Sequence, residues 1–186
     1  MPPAPAVLND LVSEEDRLRL IEIINEKEMN GELRKSDTSD SNYDGRHMLW
    51  NTYDPEWIEI VTKYIKKVIS LNGDSDLHPH DIAMLKYYPG PGMGTHSDQD
   101  GPCAGQCEMT SVIYLNDDYH GGRVIFPVLR GTYKVPAGGV MYFPQAEPWA
   151  LHEIEEIYEG NRYAIITCYT KNPEMLRPQH AHFKEN

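Results

Sequence analysis

Cysteine is scarce in this chain, with only Cys103, Cys107 and Cys168 among 186 residues. An odd, low count provides no disulfide framework and fits a reducing compartment. Positive charge is also short: 17 Lys and Arg stand against 29 Asp and Glu, a net charge of −12, and no Lys/Arg-rich block occurs. Binding to nucleic-acid phosphate or to an anionic membrane is therefore disfavoured as the main business of the protein, although a local basic pocket around a small anion is not. Long apolar runs are missing too, and none approaches the roughly 18 residues of a membrane span. The opening Met1-Pro-Pro-Ala-Pro-Ala-Val has neither a basic nor an apolar leader region. These features lead us to expect a soluble, cytoplasmic protein with no nucleic-acid or membrane partner. The length suits one domain that buries a core without staples.

Residues 1–10 are Pro-rich and read as extended or loose. Ser13 before Glu14, Glu15 and Asp16 marks a helix start, and Leu18, Ile21 and Ile24 recur at helical spacing, so a helix is expected over 14–29. Residues 34–46 are polar and turn-rich and read as a solvated loop. Asp54-Pro55 starts a second helix, Trp57, Val61, Ile65 and Val68 form its buried stripe, and Asn72-Gly73 stops it. Beyond residue 80 the period changes. Short β-branched and aromatic segments at 82–88, 109–116, 123–127, 131–135, 139–143, 149–157 and 161–170 alternate with turns, as in a sandwich, barrel or jelly roll. The chain then divides into a helical support region (11–75), a β core (80–170) and a polar tail (171–186) within one domain, the helices packing on the outer face of one sheet.

His96-Ser-Asp98 follows the Gly-rich turn at 90–94. In extended chain, residues i and i+2 share a face, so the two side chains can converge on one ion. Alone, such a pair carries little information. His152, in Trp149-Ala-Leu-His-Glu-Ile, supplies a second imidazole. Two imidazoles and a carboxylate leave open positions on an octahedral metal, as non-haem Fe(II) oxygenases require. Ten residues on, Arg162 alternates with Ala164, Ile166 and Cys168. An arginine on an apolar interior face needs an anionic partner, and a carboxylate accepts the guanidinium fork in bidentate fashion.

Tyr88-Pro-Gly, His96-x-Asp98, Ile113-Tyr-Leu-Asn116, Gly121-Gly122-Arg-Val-Ile-Phe-Pro127, His152 and Arg162-Tyr-Ala-Ile165 occur in that order. Together they resemble the prolyl 4-hydroxylase branch of the Fe(II)/2-oxoglutarate-dependent dioxygenases, and most nearly the hypoxia-inducible-factor prolyl hydroxylases with their microbial and viral relatives. The resemblance implies a double-stranded β-helix (jelly roll) and Fe(II) held by His96, Asp98 and His152. It further implies 2-oxoglutarate bound by Arg162 and the Tyr114 hydroxyl, with Tyr88 near its chelating end and Tyr87 competing for that role. The reaction implied uses O2, converts 2-oxoglutarate to succinate and hydroxylates a prolyl residue in a protein or peptide, with ascorbate an optional addition to the cofactor set. Two departures from the oxygen-sensing enzymes are visible: Cys168 stands where they carry Trp, and the His152–Arg162 spacing is one residue longer. Tyr87, Tyr88, Trp149, His47 and Trp50 are either a peptide groove or packing. The rivals are the same chemistry on a free amino acid or other small molecule, a cupin-like protein without an oxo-acid co-substrate, and a module that binds zinc through His96, Asp98, Cys103 and Cys107.

Overall fold

The computed structural model describes residues 4–35, 45–100 and 105–184. Helix α1 (Glu14–Met29) begins where the Ser13 hydroxyl accepts the Asp16 backbone N–H at 3.3 Å, with three acidic residues in its first turn. Helix α2 (Pro55–Asn72) begins where Asp54 accepts the Trp57 N–H at 3.0 Å, and ends at Gly73 in the left-handed region (φ 76°). Both helices match the expected bounds because their caps are written in the residues.

The strands are β1 (Ala6–Leu8), β2 (Arg34–Lys35), β3 (Arg46–Trp50), β4 (His78–Tyr87), β5 (Met93–His96), β6 (Met109–Tyr114) and β7 (His120–Gly121). They continue with β8 (Val124–Phe126), β9 (Gly131–Tyr133), β10 (Val140–Pro144), β11 (His152–Ile154), β12 (Ile157–Glu159) and β13 (Arg162–Thr170). A seven-stranded antiparallel sheet runs β1-β10-β6-β13-β4-β3-β2, a four-stranded sheet runs β5-β11-β8-β9, and β12 pairs with β7. The chain is thus mainly β with two N-terminal helices.

Alternation along the large sheet creates two environments. Ile82, Met84, Ile113, Val140, Ile165 and Tyr169 share one core with Leu20, Ile23 and Ile24 of α1 and Trp57, Val61, Ile65 and Val68 of α2. Each fully buried aliphatic side chain there is worth about 1.5–3 kcal/mol relative to exposure. The intervening residues Leu85, Tyr87, Val112, Tyr114, Met141 and Arg162 turn the other way, into a cavity of about 790 Å³ that the small sheet closes through Val124, His152 and Ile154.

Three features depart from the sequence expectations. The segment expected to be loose at the N-terminus contains β1, which pairs with β10 through Ala6↔Tyr142, Val7↔Met141 and Leu8↔Val140. The stretch read as a solvated loop carries β2 and β3 at its ends, although its residues 36–44 lie outside the described residues. The stretch read as a polar tail packs onto the body: Phe183 joins the helix–sheet core, Arg177 Nε donates to buried Asp81 at 3.0 Å, and Gln179 Nε2 donates to the Asn51 carbonyl at 2.6 Å. Among the described residues no helix is long and apolar enough to cross a membrane.

Candidate metal and co-substrate site

β5 and β11 pair antiparallel with His96 directly opposite His152, and a register irregularity follows His152. The chain leaves β5 at His96 and enters a single 3-10 turn at Asp98. That turn swings the Asp98 carboxylate between the two imidazoles, its Oδ1 lying 3.6 Å from His96 Nε2 and 3.9 Å from His152 Nε2. One ligand atom from each of the three residues lies within 4.8 Å of the others, the only such group of three or more His, Cys, Asp or Glu among the described residues.

Backbone carbonyls set both imidazoles. His96 Nδ1 donates to Gly94 O at 2.8 Å and His152 Nδ1 to Ala150 O at 2.9 Å, which leaves each Nε2 as the lone-pair atom facing Asp98. Burial alone would raise the Asp98 carboxyl, but the adjoining His152 and His96 outweigh it and hold the pKa down at about 2. Burial pushes His152 below the usual imidazole range despite the Asp98 charge. At neutral pH the carboxylate is ionised and His152 neutral, the states in which they bind a metal. The donor set fits Fe(II): two imidazoles and one carboxylate with open positions beside them.

Arg162 lies at the start of β13 and is 1% exposed, the largest fully buried side chain among the described residues. Its guanidinium carbon sits 4.9 Å from the Tyr87 ring centroid and 5.0 Å from that of Tyr114, a double cation–π cradle. Its Nε and Nη1 are buried with no hydrogen-bond partner among the described residues, and neither Tyr114 nor Tyr119 finds one for its hydroxyl. Burial pushes the Tyr114 phenol up to about 12, so it remains a donor at neutral pH. A buried charge with its donors unsatisfied is expensive unless a ligand completes it. The gap fits one carboxylate of a small dicarboxylate held in the cavity that also holds the triad.

The structure thus brings His96, Asp98, His152, Tyr114 and Arg162 to one cavity. Tyr88 requires a correction. It follows β4 on the opposite face, where its hydroxyl meets Glu28 of α1 and its ring packs against His47 at 5.0 Å, and Tyr87 faces the cavity instead. Two-residue periodicity carries Lys86 and Tyr88 together to the helix side, where Lys86 Nζ lies 4.9 Å from the Tyr88 ring centroid. Of the other groove candidates, Trp50 lines the cavity and Trp149 packs against Phe126 at 6.1 Å. Cys103 lies outside the described residues, and Cys107 is buried against Cys168, its thiol donating to Met109 O at 3.2 Å.

Sequence reading missed Gln145, 4% exposed, whose Nε2 donates to Asp98 Oδ2 and to Thr110 Oγ1, both at 2.9 Å. Its signal was available, since Met141, Phe143 and Gln145 continue one alternating face. Tyr119 was missed as well, and nothing in the polar run Asn116-Asp-Asp-Tyr119 marks it.

No protein-family model matches the chain. The rat protein "2-oxoglutarate and iron-dependent oxygenase domain-containing protein 3" is 34% identical over 84 residues, 42% of this chain, and the match spans about a quarter (26%) of that relative's length. Among solved structures, the Trichoplax adhaerens prolyl hydroxylase, in complex with a hypoxia-inducible-factor oxygen degradation domain peptide fragment, superposes with a TM-score of 0.74 at 18% identity. That superposition covers 92% of this chain and 85% of that one. The viral collagen prolyl hydroxylase of Paramecium Bursaria Chlorella virus-1, in its 2-oxoglutarate complex, gives 0.68 at 17% identity, covering 89% and 94%. The chain has the fold of the prolyl hydroxylases. Its relatives in sequence are 2-oxoglutarate and iron-dependent oxygenases, the group whose motifs it resembles.

Proposed function

We propose that this chain is an Fe(II)- and 2-oxoglutarate-dependent dioxygenase that hydroxylates prolyl residues of a protein or peptide. The observation that carries the reading is Arg162, a buried guanidinium whose Nε and Nη1 have no partner among the described residues, in the cavity that contains the His96–Asp98–His152 cluster. A cupin-like protein without an oxo-acid co-substrate has no use for such a group. In this reading the small sheet and the face of the large sheet opposite the helices form the two walls of a jelly roll, and residues 1–186 act as one catalytic domain.

His96, Asp98 and His152 would hold Fe(II), which with O2 supplies oxidative decarboxylation of 2-oxoglutarate to succinate and hydroxylation of a C–H bond. Arg162 and the Tyr114 hydroxyl bind the distal carboxylate of 2-oxoglutarate, and the rings of Tyr87 and Tyr114 keep the guanidinium aimed at it. Leu85, Val112, Val124, Met141 and Ile166 line the cavity and exclude water from the reacting centre. The prolyl substrate draws its support from the structural neighbours, one of which was solved with a peptide fragment bound. Ascorbate would serve as an accessory reductant.

The test is incubation with Fe(II), 2-oxoglutarate, O2 and a panel of proline-containing peptides, reading succinate and peptide mass. A peptide that gains one oxygen atom at proline, with matching succinate, supports the reading. Succinate formed only with a free amino acid or another small molecule would retain the class and overturn the prolyl substrate.

A further inference from the structure

Gln145 follows β10 on the face that Met141 and Phe143 turn to the cavity, and its backbone N–H is tied to the Glu108 carbonyl at 3.0 Å. Its side chain is buried, and the two Nε2 hydrogens are committed to Asp98 Oδ2 and Thr110 Oγ1. The Asp98 carboxylate is therefore divided. Oδ1 faces both imidazole Nε2 atoms, whereas Oδ2 accepts a hydrogen bond from a group whose backbone and side chain are both anchored. Among the described residues the Gln145 Oε1 is buried without a partner, so there the amide is oriented by its donors.

We propose that Gln145 is a positioning residue that restricts Asp98 to monodentate metal binding through Oδ1. A carboxylate free to rotate can chelate with both oxygens and occupy a second coordination position. With Oδ2 held by Gln145, that position stays open for the co-substrate, which needs two. Hydrogen-bonded partners of ligating carboxylates typically change metal affinity about 10–100-fold when removed. The proposal rests on His96, Asp98 and His152 being the metal ligands.

The experiment titrates apo-protein with Co(II) under anaerobic conditions, following the d–d absorption and the infrared carboxylate stretches, and then adds 2-oxoglutarate. Wild type, Gln145→Met and Gln145→Ala are compared, with the melting temperature of each apo-protein as the check on folding. In the wild type we expect the wide splitting between asymmetric and symmetric stretches that marks a monodentate carboxylate. In Gln145→Met we expect a wild-type melting temperature, Co(II) affinity about 10–100-fold weaker, a narrowed splitting and a loss of the spectral response to 2-oxoglutarate. Folded variants with the wild-type affinity and spectrum would overturn the proposal, and so would a bidentate splitting in the wild type, even where neither variant folds. Wild-type protein that binds no Co(II) would instead overturn the ligand assignment beneath it.

Discussion

His96 and His152 face each other across the antiparallel pair β5–β11, with ring centroids 4.3 Å apart. Two residues separated by 56 positions in the chain are thereby held as cross-strand neighbours, and Asp98 needs only one turn of chain to join them. The geometry of the centre is therefore set by that strand pair.

Gly92 provides the first consequence. A Cβ at this position would lie 1.8 Å from Ile154 O and 2.6 Å from Glu155 O, both backbone atoms of the β11 side of the pair. Gly92→Ala must therefore push β5 away from β11. We expect a loss of stability of about 1–3 kcal/mol, the range for overpacking, with a larger proportional loss of metal affinity. Thermal denaturation with and without Co(II) checks both, and an unchanged melting temperature would show that the close approach is not required.

Arg162 should behave unlike most buried charged residues. Its Nε and Nη1 lack partners among the described residues, so Arg162→Met should leave the ligand-free protein as stable as wild type or more so. The variant should lose stabilisation by 2-oxoglutarate, and its apparent KM for 2-oxoglutarate should rise about thirtyfold or more, the cost of leaving a buried carboxylate unpaired. The constant for the metal should change far less. Melting temperatures in the two conditions and initial rates test this, and a strongly destabilised apo-variant would contradict it.

Acid sensitivity should come in part from Glu28. Its burial alone would raise its pKa, but the Lys86 ammonium and the Tyr88 hydroxyl hold it below the ordinary carboxylate range. A lowered folded-state pKa contributes stability above the unfolded value of 4.5 that is lost as pH falls through the folded one. Glu28→Gln should therefore be less stable than wild type near neutral pH, with the gap closing below about pH 4. Denaturant unfolding across that interval measures the closure, and a gap independent of pH would assign the effect to packing.

The parts of this structure legible in the sequence are those with local chemistry. Ser13, Asp54 and Gly73 announce the helix ends, and the alternation of Arg162, Ala164, Ile166 and Cys168 places the arginine on the inner face of β13. Parts that depend on pairing partners were not legible. The strands β1 and β2 are three and two residues long, too short to show a period, and exist because β10 and β3 accept them. The choice between Tyr87 and Tyr88 turned on the register of β4 against β13, where Arg162 lies opposite Tyr87. One residue of register exchanges the two faces, and no composition signal distinguishes adjacent tyrosines. Gln145 continues the alternating face of Met141 and Phe143, but the partner that gives it a role, Asp98 at 2.9 Å, is 47 residues away in the chain and shows only in the fold.

The most direct measurement is anaerobic titration of the protein with Fe(II) and 2-oxoglutarate, watching for the weak visible charge-transfer band of the chelate. The band is expected in wild type, is lost in Asp98→Ala, and reappears only at much higher 2-oxoglutarate in Arg162→Ala. Absence of the band in folded wild-type protein, with zinc copurifying at stoichiometry, would contradict the oxygenase assignment.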